Sequence, residues 1–207
     1  MTAKTTLLRR LSDALTSSPK IYDMIQNLAG FPKIVPILRP IFESVDGHTL
    51  LDVGAGTGLY LPIFPPGVKY IWLDIDRQKL DGFRNRASAR PTETTFGVMS
   101  DSLKIALSDH SVDYVLCAAM SHHIADRDLS RLFAELARVV RKKMIFIDAV
   151  KSPRLTSRIL WSMDRGAFPR LMPTLCSALN KSFDIESLQL YKVYHEYILC
   201  ICTPRKS

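Results

Sequence analysis

The sequence has 207 residues, 47% of them hydrophobic, enough to bury the core of one α/β domain and too few for a second of similar size. No apolar run approaches the roughly 18 residues of a membrane span. Met1-Thr2-Ala3-Lys4, with Arg9 and Arg10 behind it, lacks the order of a secretory signal, so a soluble, cytoplasmic protein is expected. The net charge of +8 suits anionic substrates, anionic lipid or nucleic acid, or simply a solubilising surface, and no basic stripe with interleaved aromatics singles out nucleic acid.

From Thr5 to Ser44 the spacing predicts two or three helices that cap the remainder of the chain. Leu7, Leu8, Leu11 and Leu15 recur at helical intervals, Ser18-Pro19 restarts the pattern, and Gly30-Phe31-Pro32 breaks it. A last helical segment, Ile34 to Val45, carries Pro36 and Pro40. Thereafter short apolar runs alternate with amphipathic segments, the signature of βαβ units around a mostly parallel sheet. Strands are predicted near His48–Val53, Lys69–Leu73, Thr94–Val98, Val112–Ala118 and Lys143–Asp148, with helices at Gly58–Ile63, Arg77–Ala87 and Arg127–Val140. Ser182–Val193 and Glu196–Thr203 read as an antiparallel hairpin at the sheet edge. Ser152–Asn180, rich in Arg and Pro, is long enough to shape a substrate pocket, and helical packing is the alternative. The expected architecture is one globular unit: a helical lid (1–47), a core (48–150), a pocket insertion (151–181) and a closing hairpin (182–207).

Cys117, Cys176, Cys200 and Cys202 form no CxxC pair and no Cys/His ligand set, so they are expected to be reduced and buried, and no metal site is predicted.

The chemistry concentrates after the first strand. Gly54, Gly56 and Gly58 follow Leu50-Leu51-Asp52-Val53 directly, allowing a sharp turn and close approach of a ligand to the backbone. The third glycine comes one residue too early for the GxGxxG dinucleotide fingerprint. Asp52, beside the turn, would repel a pyrophosphate and attract a cation, or else would cap the turn through backbone amides. Asp74, ending the second strand, can accept both hydroxyls of a ribose, while Asp76 fits a helix N-cap. Asp101 follows the third strand, so three acids are expected along one edge of the sheet.

From Leu50 to about Val150 the chain resembles the class I S-adenosylmethionine-dependent methyltransferases, which implies a Rossmann-like, doubly wound, seven-stranded sheet closed by an antiparallel hairpin. The resemblance implies that Asp52 and Gly54-Ala55-Gly56-Thr57-Gly58 hold the methionine part of S-adenosyl-L-methionine and that Asp74 holds the ribose. By the same resemblance Asp101 and Ser102 meet the adenine, with Ile75 and Ala118 also at the cofactor. Val112-Asp113-Tyr114-Val115 is similar to the family's fourth strand, Ser121-His122-His123-Ile124 to the loop after it, and Leu136-Ala137-Arg138-Val139-Val140 to the helix end before strand five. The sequence departs from the pattern where Arg141-Lys142-Lys143 replaces the usual Lys-Pro-Gly-Gly turn.

Methyl transfer from a sulfonium needs alignment of nucleophile and methyl and, for a hydroxyl acceptor, removal of a proton; it needs no metal. His123 or His122 is the candidate base, with packing or support of the cofactor as the alternative. Tyr22 could reach the site from the lid, and Arg165 is the candidate for an acidic group of the substrate, whereas Arg154, Arg158 and Arg170 are expected to be mostly solvated. The expected acceptor is a small molecule, a metabolite or lipid-like compound with an anionic one among the options. Nucleic acid is disfavoured: Leu116-Cys117-Ala118-Ala119 stands where an Asn-Pro-Pro-Tyr type of tetrapeptide would serve amino-group methylation of bases. An RNA or protein methyltransferase, a cofactor-binding protein without transfer activity, and peripheral membrane contact through residues 1–17 stay open, as does the choice between monomer and homodimer.

Overall fold

Alternation along the strands builds two cores. In the first strand Leu51 and Val53 point to one face of the sheet and Leu50 to the other, as the two-residue period of a strand requires. The computed structural model describes residues 19–28, 30–90, 94–163 and 168–205. In chain order it runs α1 (Pro19–Leu28), α2 (Phe31–Glu43), β1 (Thr49–Val53), a 3₁₀ turn (Leu61–Ile63), β2 (Lys69–Asp74), α3 (Lys79–Ala87), β3 (Thr95–Met99) and β4 (Val112–Ala118). A second 3₁₀ turn (Ser121–His123) leads into α4 (Asp126–Val139), β5 (Val140–Val150), α5 (Leu155–Met163), α6 (Met172–Leu179), β6 (Phe183–Lys192) and β7 (Glu196–Pro204).

The seven strands lie in the order β3-β2-β1-β4-β5-β7-β6. The first five are parallel, β7 runs antiparallel to β5, and β6 antiparallel to β7. Both faces of the parallel part are covered, which is why its strands read as near-continuous apolar runs. On one face α4 buries Leu129, Leu132, Phe133, Leu136 and Val139, a helical stripe, against Val115, Phe146 and Phe183. On the other, Ile34, Leu38 and Phe42 of α2 and Phe83 of α3 cover Leu50, Tyr70, Trp72 and Leu199.

The expected seven-stranded, mostly parallel sheet with its antiparallel C-terminal hairpin is present, with differences that have local causes. Helix α2 runs through Pro36 and Pro40 because both rings sit on its more exposed side, opposite the buried Ile34, Leu38 and Phe42. The helix expected over Gly58–Ile63 is reduced to the single turn Leu61–Ile63, and Gly58, at φ 72°, is not itself a right-handed helical residue. The helix expected to reach Val140 stops at Val139, and β5 begins at once, with no intervening turn. Arg141, Lys142 and Lys143 are therefore strand residues, their charges matched by Asp113 and Glu186. The insertion after β5 holds α5 and α6. Leu7, Leu8, Leu11 and Leu15 of the expected lid, and Arg165, lie outside the described residues. Cys117, Cys200 and Cys202 are buried and Cys176 is half-buried, all as free thiols.

Candidate functional site

The turn after β1 is built on left-handed backbone, with Gly54, Gly56 and Gly58 at φ 69°, 54° and 72°. At Gly54 a side chain is also excluded by space: a Cβ would lie 2.5 Å from Cγ of Met120, the residue that leads into the Ser121–His123 turn. That missing Cβ brings the loop after β4 directly onto the glycine turn.

Four amides of this turn are already engaged. Those of Gly54 and Ala55 both donate to the Leu73 carbonyl (2.9 and 3.0 Å), that of Gly56 to Asp74 Oδ2 (2.7 Å) and that of Gly58 to the Ala55 carbonyl (2.8 Å). The indole of Trp72 donates to the Gly56 carbonyl (2.7 Å). A turn that cradles phosphate aims its amides at the anion; these four are aimed at protein oxygens.

Asp74, at the end of β2, accepts from Gly56 N–H through one oxygen and from Asp76 N–H through the other (2.8 Å). Its carboxylate is thereby fixed, and each oxygen keeps a second lone pair for a hydroxyl donor. Burial raises its pKa, partly offset by these hydrogen bonds. Ile75 beside it is 70% exposed, a large apolar surface at the strand end. Asp76 accepts from Gln78 N–H (2.9 Å) in the turn ahead of α3 but is not the expected N-cap, since that position is Gln78 and carries no side-chain cap.

Asp52 differs from expectation. Instead of presenting an open charge beside the turn, it is 1% exposed beneath it and accepts the Tyr70 hydroxyl at 2.5 Å. Burial pushes its pKa to about 7 against the lowering effect of that hydrogen bond, and Asp74 adds to the rise. The strand alternation that points Leu51 to one core points Asp52 to the other, into the face covered by aromatic rings. Asp101, past β3, is exposed and accepts from Leu103 N–H (2.9 Å), with Ser102 half-buried beside it. Ala118 is buried at the end of β4.

Helix α1 lies on the turn. The Tyr22 hydroxyl sits 3.4 Å from where a Cβ of Gly56 would be, and the Lys79 ammonium lies over the Tyr22 ring at 4.0 Å. Asp23 accepts from the Thr57 hydroxyl (2.6 Å) and from Arg86 (2.5 Å), whose guanidinium also donates to the Thr57 carbonyl (2.6 Å). Sequence reasoning missed Asp23, Lys79 and Arg86, since no local pattern ties them to the turn.

Across the turn, the two candidate histidines separate. His122 is buried, and its Nδ1 lies 2.6 Å from Asp148 near the end of β5. Asp148, 1% exposed, also accepts from the Ser121 hydroxyl (2.5 Å) and the Ala149 amide (2.8 Å). Burial pushes the Asp148 carboxyl up, but the facing His122 and these hydrogen bonds outweigh it and hold its pKa below the ordinary value. His123 is exposed, its ring 4.3 Å from that of His122. Arg170, expected to be solvated, is buried instead: it donates to the carbonyls of Ser121 (2.7 Å) and Ile124 (2.5 Å) and to Asp126 (2.8 Å), clamping the loop that carries His122. Trp161 of α5 packs edge-on against His122 (5.4 Å between ring centres) and lines a groove of about 500 Å³ between α5 and the segment before α6.

Residues 51–147, which contain the turn, Asp74 and His122, match the family model described as a methyltransferase domain. Over these residues, just under half of the chain, the sequence is similar to methyltransferase domains. An uncharacterized methyltransferase of Mycobacterium ulcerans (strain Agy99) is 33% identical over 100 residues, 48% of this chain, and the chain covers 37% of that relative's length. Among solved structures, the PH0226 protein of Pyrococcus horikoshii OT3 superposes with a TM-score of 0.70 at 17% identity, covering 84% of this chain and 91% of that one. The magnesium protoporphyrin IX methyltransferase of Synechocystis PCC 6803, solved with bound SAH, gives 0.67 at 16% identity over 84% and 81%. These two share the fold.

Proposed function

We propose that the protein transfers the methyl group of S-adenosylmethionine to an oxygen, nitrogen or carbon of a small-molecule acceptor, with His122 as the base where a proton must leave. The observation that carries this reading is the juxtaposition, on adjacent strand ends, of a glycine turn with four engaged amides and a buried His122–Asp148 pair. The turn has the Asp74 carboxylate beside it and four of its amides turned to protein oxygens, so it offers little to a phosphate, which supports a ligand bearing a ribose and no phosphate. Asp74 would take the ribose hydroxyls, the turn would face the methionine end with Asp52 supporting it from beneath through Tyr70, Ile75 would offer an apolar surface to the adenine, and Asp101 and Ser102 would meet its amine. Tyr22, over Gly56, would close the site from the lid side.

When bound, the sulfonium supplies an activated methyl carbon. The protein's part is to align the acceptor and move a proton. The Asp148 carboxylate accepts the Nδ1 proton of His122, so the neutral ring takes up a proton at Nε2, and the imidazolium formed is stabilised by the buried carboxylate. That buried carboxylate, at 2.6 Å, favours His122 over the exposed His123 as base. A small acceptor is supported by the size of the groove beside Trp161 and by the structural neighbour that methylates magnesium protoporphyrin IX.

The test is S-adenosylhomocysteine formation across a panel of hydroxyl, amine and carbon acceptors. Once an acceptor is found, His122→Ala should lower kcat by roughly 10²–10³-fold with little change in cofactor affinity, and His123→Ala by less than about tenfold. Equal losses in the two variants would reject His122 as the base. Cofactor binding without turnover on any acceptor would point to a binding protein instead.

A further inference from the structure

The groove along α5 has a chemistry of its own. Trp161, Pro153, Pro169 and Leu171 give it apolar walls, and the charged side chains lining it among the described residues are Lys151 and Arg158. Neither forms an ion pair among the described residues, whereas Asp113, Glu135 and Glu186 each neutralise a basic residue elsewhere. Leu171 of the lining is 56% exposed, and on α5 Leu155 (69%) and Ile159 (50%) are exposed as well, large apolar side chains on surfaces that are ordinarily polar.

We infer that this groove binds an amphipathic anion, its apolar body along Trp161, Pro153, Pro169 and Leu171 and its phosphate or carboxylate at Lys151 and Arg158. The inference rests on the proposed function and deepens it, since Trp161 also packs on His122 and the groove would present such a molecule beside the base. Charge complementarity and apolar walls together select this class: an inorganic anion leaves the walls uncovered, and a neutral apolar compound leaves the cations unmatched.

Octyl phosphate, below its micellar concentration, is the probe. Trp72 is fully buried, so a change in tryptophan emission on titration reports Trp161. Octyl phosphate should bind the wild-type protein at least roughly tenfold more tightly than octanol or inorganic phosphate, and Lys151→Gln/Arg158→Gln should weaken it by roughly tenfold or more. Trp161→Phe should remove the optical signal while calorimetry still records binding. Equal affinity of the double variant and the wild type, or equal affinity for octanol, would overturn the inference. So would binding to phosphatidylglycerol vesicles with none to monomeric octyl phosphate, which would make the face a membrane contact. S-adenosylmethionine titrations on the same proteins keep the two readings apart: cofactor binding without octyl phosphate binding defeats this inference alone, whereas loss of cofactor binding in the wild type defeats the proposed function.

Discussion

Asp52 is the residue whose behaviour departs most from what its position suggests. Its folded pKa of about 7 lies above the ordinary value of 3.8, so between those values the folded protein binds more protons than the unfolded chain. Stability from this group is therefore fully present below the unfolded value and lost as the pH rises through about 7. Asp52→Asn keeps an oxygen for the Tyr70 hydroxyl and removes the buried charge. Its thermal midpoint should fall less than that of the wild type between pH 5.5 and 8.5. Parallel profiles for the two proteins would show that Asp52 does not titrate in this way. The sequence announced an acid next to a glycine turn but not which face of the strand it joined, because the alternation of β1 can be counted while the aromatic lining of one face comes from Tyr70, Trp72 and Phe83 on other elements. The same limit hid Asp148 and Arg170. Their partners, His122 and the Ser121 carbonyl, lie 26 and 49 residues away, and no local pattern connects them.

Among the elements, α1 has the most specific attachment. It meets the core through Asp23, which bridges Thr57 and Arg86 across 34 and 63 residues of sequence, and through Tyr22 on Gly56. Helix α2, by contrast, buries a full apolar stripe. Local opening of α1 should therefore cost less than global unfolding. Asp23→Ala removes two charge-assisted hydrogen bonds, each typically worth about 1.5–3 kcal/mol. It should speed proteolytic cleavage ahead of Gly30 at least roughly tenfold while moving the global midpoint by only a few degrees; an unchanged cleavage rate would mean that α1 is held by other contacts. Elements whose signals are local were legible: the strand, glycine turn and strand sequence of β1 and β2, the stripe of α4, and the hairpin of β6 and β7. Elements that depend on left-handed backbone or on the absence of a turn, such as the segment after Gly58 and the abrupt start of β5, were not.

At the scale of the whole molecule, the sheet order explains why distant residues converge. β1 lies between β2 and β4, all three parallel, so their carboxyl ends share one edge and bring Asp74, the glycine turn and the His122 loop together. Some of the positive charge is matched away from this edge: Asp113, hydrogen-bonded at the start of β1, faces Arg141 and Lys142. The cations beside the groove are not matched among the described residues, and they lie next to the loop that carries the base. The glycine turn was the most legible part of the site, and the structure adds that four of its amides are engaged and that Asp74 secures it. Calorimetric titration of S-adenosylmethionine into the wild type and Asp74→Ala, with circular dichroism to establish that both are folded, tests the cofactor site most directly. Saturable binding to the wild type is expected, with a loss of roughly 10²-fold in Asp74→Ala, the effect of two hydroxyl contacts to a carboxylate. Equal affinity in the two folded proteins would remove Asp74 from the ribose and contradict the assignment of the site.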